Sequence, residues 1–215
     1  TKTNEVDEVD RAKRAGKLFG TQFIEQSING VFNTVKGNLC NYGKGNRMHP
    51  VRQSNIKARL RMIYLMDIAQ DNWGTVIGTD NATEHILGFY TIFGDQGMIE
   101  PIVDLWKTDI YKIARYIVSQ YTEQFNKEDD VDKKNKLQEY IDLFTETIDA
   151  VPTDGNGANP DLVQIGCHSY SRLDSILQGK ANDVTEEEQE RIFSRVNKNK
   201  FKQHIPITFT DASSC

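Results

Sequence analysis

Apolar residues along this chain recur mostly at three- and four-residue intervals, the spacing that lines one face of a helix. From Val6 to about Phe19 the pattern is helical, and Gly20 ends it. The next stretch, TQFIEQSI (Thr21 to Ile28), alternates apolar and polar positions and predicts a short strand. Between Gln53 and Gln70, Ile56, Leu60, Ile63, Met66 and Ala69 fall on one stripe, which predicts an amphipathic helix of roughly five turns. TVIG (Thr75 to Gly78) then reads as a buried strand, and a new helix opens near Asn81. Pro101 breaks the chain. Beyond it Ile110, Ile113, Ala114, Ile117 and Tyr121 share one helical face, and Leu137, Tyr140, Ile141, Phe144 and Ile148 share another. The run between them, NKEDDVDKKNK (Asn126 to Lys136), is too polar to be buried and reads as a solvated linker or an exposed helix end. VPTDGNGANPDLVQIG (Val151 to Gly166) is a glycine- and proline-rich loop, long enough to be functional. Short helices over Tyr170–Leu177 and Glu186–Val196 follow. There is no internal repeat. The alternation of helix, strand and helix predicts an α/β fold, a parallel sheet covered by helices.

Composition narrows the function classes. At 215 residues the chain is long enough to bury a core as one domain spanning residues 1–215, and a net charge of -5 argues against a general nucleic-acid binder. No run of about eighteen apolar residues occurs, and the first residues, TKTNEVDEVDRAKRAG, are charged throughout. No membrane span and no signal peptide are therefore expected, which makes the cytoplasm the expected location. Cys40, Cys167 and Cys215 are far apart and never in CxxC spacing, so they read as reduced thiols. His49, His85, His168 and His204 lack zinc-ligand spacing.

Candidate chemistry concentrates in GTDNATEHILGFYTIFGDQG (Gly78 to Gly97). A strand ending in Gly-Thr-Asp-Asn and turning into a helix sets polar groups at a sheet edge, where open α/β proteins bind ligands. Asn81 with Glu84 three residues later equally fits a capping box, and spacing does not separate the two readings. Gly88, Gly94 and Gly97 with Phe89, Tyr90 and Phe93 suit a loop that covers a flat ligand, or an ordinary packed loop. Arg52, Lys57, Arg59 and Arg61 form a basic group, either a solvated face or an anion site, and NKNKFK (Asn197 to Lys202) carries the same ambiguity.

Six segments in order, NIKARLRM (Asn55 to Met62), VIGTDNATEHILGFYTIFGDQG, PIVDLWK (Pro101 to Lys107), VPTDG (Val151 to Gly155), SYSRLDSIL (Ser169 to Leu177) and IPIT (Ile205 to Thr208), resemble NAD synthetase of the N-type ATP pyrophosphatase superfamily. The resemblance implies a three-layer parallel sheet with helices on both faces, of the adenine nucleotide alpha hydrolase-like, Rossmann-like kind. It implies a ligase that adenylylates deamido-NAD with ATP and Mg2+, releases pyrophosphate, and lets ammonia displace AMP to give NAD. A relative acting on another carboxylate, or a non-catalytic nucleotide- or partner-binding relative, is the alternative. By the same resemblance Thr79, Lys107 and Thr153 contact ATP, Glu84 ligates magnesium, Arg59 and Lys202 bind deamido-NAD, and the protein is a homodimer. The family's SGGxDS phosphate loop has no counterpart in these residues, so the chain is expected to be the C-terminal portion of the family domain. Ile92 and Met98 stand where the family usually has a lysine and an aspartate.

Overall fold

The structure, a computed structural model, describes residues 6–40, 48–151 and 161–203. Among these residues it forms nine α-helices and a closing 3-10 helix: α1 (Val6–Leu18), α2 (Asn29–Cys40), α3 (Pro50–Asp71), α4 (Ala82–Leu87), α5 (Lys107–Lys127), α6 (Val131–Asp149), α7 (Asp161–Ile165), α8 (Tyr170–Leu177), α9 (Glu186–Asn199) and Lys200–Gln203. The chain divides into two compact units, residues 1–26 with 108–164 and residues 27–107 with 165–215. No helix among the described residues is long and apolar enough to cross a membrane.

The parallel sheet expected from the sequence does not form among the described residues. Their only ladder contact is one isolated parallel bridge, Ile77 to Ile99, flanked by Gly78 N–H donating to Ile99 O at 2.8 Å and Met98 N–H donating to Val76 O at 2.9 Å. The pairing is short for a physical reason. Gly78 and Gly97 cross so closely that a Cβ on Gly97 would lie 2.0 Å from Gly78 N, and Pro101 then turns the chain away. The alternating stretch Thr21–Ile28 is irregular: it buries Ile28 but leaves Phe23 and Ile24 exposed, so its period of two does not mark a half-buried strand.

In the first unit the end of α1, α5 and α6 meet through aromatic rings. Tyr121 stacks on Tyr140 at 4.8 Å, Phe19 meets Tyr140 edge-on at 5.5 Å, and the Tyr140 hydroxyl donates to Leu18 O at 3.0 Å. The Arg14 guanidinium pairs with Asp10 on its own helix and with Glu146 of α6. The charged run Asn126 to Lys136, read as a solvated linker or an exposed helix end, holds the end of α5, a short turn and the first residues of α6. Asp130 accepts from Asp132 N–H and Lys133 N–H, both at 3.0 Å, and starts α6.

The second unit carries the polar stretch Gly78 to Gly97 together with two groups of buried apolar residues. Ile28, Phe32 and Met48 pack with Ile56 and Leu60 of α3, backed by Val35, Leu39 and Tyr64. Helix α3 begins at Pro50, three residues before the start expected at Gln53, because proline suits the first turn and His49 caps it by accepting from Val51 N–H. The stripe itself is buried only in its first half, since Ile63 and Met66 are exposed. Leu87 of α4, Ile165, Leu173 of α8 and Ile192 of α9 form the other interior, each at most 2% exposed. Packing α4, α8 and α9 together is what seats the polar residues that precede and follow α4.

Candidate functional site

Helix α4 is only six residues long, so its N-terminus has to be held by side chains. Asn81 Oδ1 accepts from Glu84 N–H at 3.1 Å, and Glu84 Oε2 takes back the Asn81 N–H at 3.3 Å and the Asn81 side-chain amide at 2.5 Å. This is a complete capping box. At the other end Gly88 sits at φ +68°, where a Cβ would also meet Asn199 Cβ at 2.4 Å.

Lys107, at the start of α5, reaches the same helix from the far side of the Pro101 turn. Its Nζ donates to Glu84 Oε1 at 2.7 Å and lies 5.6 Å from the Tyr170 ring centroid. Its backbone N–H donates to Thr83 Oγ1 at 3.0 Å, and the Thr83 hydroxyl in turn donates to Asp174 Oδ1 of α8 at 2.6 Å. Thr83 is 1% and Asp174 2% exposed. Three segments distant in sequence are thereby locked to one another by a buried polar chain, which fixes where the Lys107 ammonium can stand.

Around this pair the field is acidic. Asp80 is 9% exposed and its Oδ2 has no hydrogen-bond partner among the described residues. Burial, then the charges of Glu100, Glu84 and Asp95, push its carboxyl up to about 7, with Lys107 opposing. Tyr90 is buried, its hydroxyl likewise has no partner, and burial with the Asp80 charge raises that phenol to about 12. Glu100 Oε1 accepts from Gly97 N–H at 2.7 Å, while its buried Oε2 has no partner among the described residues.

Of the residues expected to carry function, Glu84 and Lys107 are brought into direct contact, and Thr79 is exposed five positions before Glu84. Arg59 and Lys202 converge on the loop after α4. Arg59 Nε donates to Ile92 O at 3.1 Å, and Lys202 Nζ donates to Gly88 O at 2.6 Å and Tyr90 O at 2.7 Å. Burial, followed by the charge of Arg195, lowers the Lys202 pKa. Thr153 lies outside the described residues. Capping by Glu84 is directly visible: its Oε2 accepts from Asn81 and its Oε1 from Lys107. No group of three or more metal-ligating side chains that could hold an ion occurs among the described residues.

The NAD synthase family model matches residues 1–206. The chain belongs to that family. It is 35% identical over 167 residues to the NH3-dependent NAD+ synthetase of Lacticaseibacillus paracasei, a match that takes in 78% of this chain and 53% of that protein. The synthetase of the same name from Latilactobacillus sakei is 30% identical over 207 residues, covering 96% of this chain and 66% of the other. Among solved structures, the NMN synthetase of Francisella tularensis matches with a TM-score of 0.74 at 25% identity, over 96% of this chain and 74% of that one. The chain spans about half the length of the first of these NAD synthase relatives.

The sequence reading left out Glu100 and Asp174, and took Asp80 only as one of the polar groups of the Gly-Thr-Asp-Asn turn and Tyr90 only as an aromatic of the loop after it. Asp174 carried a signal, a carboxylate among the apolar positions of SYSRLDSIL. Glu100 carried none, because its burial depends on the Gly78–Gly97 crossing.

Proposed function

We propose that this chain serves an amide-forming ligase that makes NAD from deamido-NAD, ATP and ammonia. The observation that carries the reading is the family match over residues 1–206 together with the fixed Glu84–Lys107 pair at the start of α4. In the reaction a carboxylate oxygen of deamido-NAD attacks the α-phosphorus of ATP, the bond to the departing pyrophosphate breaks, and an acyl adenylate results. The ammonia lone pair then attacks the acyl carbon, AMP leaves with the bonding pair, and the nitrogen gives up a proton.

Each residue has a role set by its chemistry. Lys107 is a point charge whose position is fixed from both ends, by Glu84 at the amine and by Thr83 at the backbone; it offsets charge on the ATP phosphates. Thr79 and Thr153 are hydroxyl donors for ATP. Arg59 and Lys202 bind deamido-NAD from beside the loop after α4, where Arg59 Nε donates to Ile92 O and Lys202 Nζ donates to Gly88 O and Tyr90 O. Magnesium, when bound, shields phosphate charge. The protein works as a homodimer in the cytoplasm.

Ile92, where a lysine is usual, favours a second reading with a smaller nicotinate nucleotide as substrate, in keeping with the neighbour named as an NMN synthetase. The test is product formation by the protein expressed from its complete reading frame, given ATP, Mg2+, ammonium and either deamido-NAD or deamido-NMN. NAD together with equimolar AMP from deamido-NAD supports the first reading; amide product from deamido-NMN alone supports the second. AMP formation from neither sinks both.

A further inference from the structure

The basic group of α3 divides between two faces of that helix. Arg59 turns to the loop after α4, where its Nε donates to Ile92 O at 3.1 Å. Lys57, two residues earlier and so about 200° away around the helix, turns to α2 and stands 5.2 Å from the Phe32 ring centroid. The Lys36 ammonium of α2 lies 5.9 Å from the centroid of the same ring. Arg61 follows Lys57 by four residues, one turn further along that face. We propose that Lys36, Lys57 and Arg61 form a binding site for a di- or triphosphate chain, one that uses none of the residues assigned above to ATP or deamido-NAD.

Nothing on this face balances the charge. Among the described residues none of the three side chains has an ion pair or a hydrogen bond. The sequence gives the reason: between Glu25 and Asp67 stand seven lysines and arginines and no aspartate or glutamate, in a chain whose net charge is -5. Glu25 is itself paired with Lys13 at 2.9 Å, and Asp67 falls at neither the i+3 nor the i+4 position from Arg61. Burial, then the charges of Arg61 and Lys36, lowers the Lys57 pKa, so the charges that act on it are of its own sign. Like charges one turn apart oppose the helix, and packing two lysine stems on one ring keeps the ammonium groups from spreading into solvent. An anion removes that repulsion. A phosphate chain suits three cations on two helices better than a single carboxylate does, because each ammonium and the guanidinium fork can take an oxygen of its own. The ring supports the lysines and is closed to a base, since Phe32 is 8% exposed and packs with Ile28, Met48, Ile56 and Leu60. The site therefore reads phosphate and not the nucleoside.

The probe is inorganic tripolyphosphate without divalent ions, and the readout is the acetylation rate of each lysine in the full chain, followed by mass spectrometry. Labelling of Lys36 and Lys57 should slow together, roughly tenfold at saturation, while that of the exposed Lys112 and Lys127 changes by less than about twofold. Lys107 is followed in the same sample and reports on the ATP site, so the ligase reading and this one can fail separately. Lys36→Met keeps a straight stem on Phe32, and Arg61→Gln removes a charge that repels its neighbours; each should weaken the tripolyphosphate protection of Lys57 by roughly tenfold in affinity. Circular dichroism checks that both variants fold, and the native-chain comparison stands without them. ATP should protect as well as tripolyphosphate does, and AMP should not. A short single-stranded oligonucleotide separates a nucleic-acid backbone from a free phosphate chain: weaker protection per phosphate than by tripolyphosphate supports the proposal, and equal or stronger protection overturns it. Unchanged labelling of Lys36 and Lys57 overturns it, as does protection no greater than at Lys112, or AMP protecting as well as tripolyphosphate.

Discussion

Replacing Thr83 by valine keeps the shape of the side chain and deletes one hydroxyl from the centre of the buried chain Lys107–Thr83–Asp174. Asp174 loses a 2.6 Å hydrogen bond while remaining 2% exposed, and Lys107 N–H loses its acceptor at 3.0 Å. A hydrogen bond to a charged group contributes about 1.5–3 kcal/mol and a neutral one about 1, so the expected cost is about 3 kcal/mol. For a chain of this size that is a fall in melting temperature of roughly 6–12 °C. Urea unfolding followed by circular dichroism measures it. Repeating the measurement on Asp174→Asn and on the double variant isolates the pairwise part, expected at about 1 kcal/mol or more. A Thr83→Val cost under about 0.5 kcal/mol, with additive single effects, would refute the claim that this relay fixes Lys107.

Three further perturbations test separate parts of the structure. Lys107→Met should cost about 1.5–3 kcal/mol in the same unfolding assay, because Glu84 and Lys107 are both about four-fifths buried at the side chain, and the loss should change little between low and high salt. Asp80 has its carboxyl raised from 3.8 to about 7, so the folded state prefers the protonated form. Its contribution is present below pH 4 and lost as pH rises through 7, and Asp80→Asn should flatten the decline of melting temperature between pH 5 and 8 measured without divalent ions; an unchanged slope would contradict this. Gly97→Ala places a methyl 2.0 Å from Gly78 N, so it should open the Ile77–Ile99 bridge and cost on the order of 1–3 kcal/mol, read as lost amide-exchange protection at Gly78 and Met98.

Helices with both a stripe and a cap were legible in the sequence. Tyr170–Leu177 is found where its pattern puts it, because Ser169 accepts from Arg172 N–H and Leu173 and Ile176 fall on the buried face. Helix α2 was not, since Gly30, Gly37 and its β-branched residues oppose a helix; Phe32, Val35 and Leu39 form it by packing on the cluster with Ile56 and Leu60. The strands failed for a related reason: alternation in Thr21–Ile28 and apolarity in Thr75–Gly78 describe single segments, whereas a sheet requires partners that a local pattern does not contain. At the site, Asn81 and Glu84 were readable as a box because capping is local. The acidity around Asp80 was not, because it arises where residues 97–100 cross residue 78.

The most direct test of the functional account is the stoichiometry of AMP and NAD. With the protein from its complete reading frame, deamido-NAD, ATP, Mg2+ and ammonium should yield NAD and AMP in a one-to-one ratio, and omitting ammonium should stop NAD formation while pyrophosphate exchange into ATP continues. ADP in place of AMP, or AMP release that is indifferent to a nicotinate carboxylate, would contradict it.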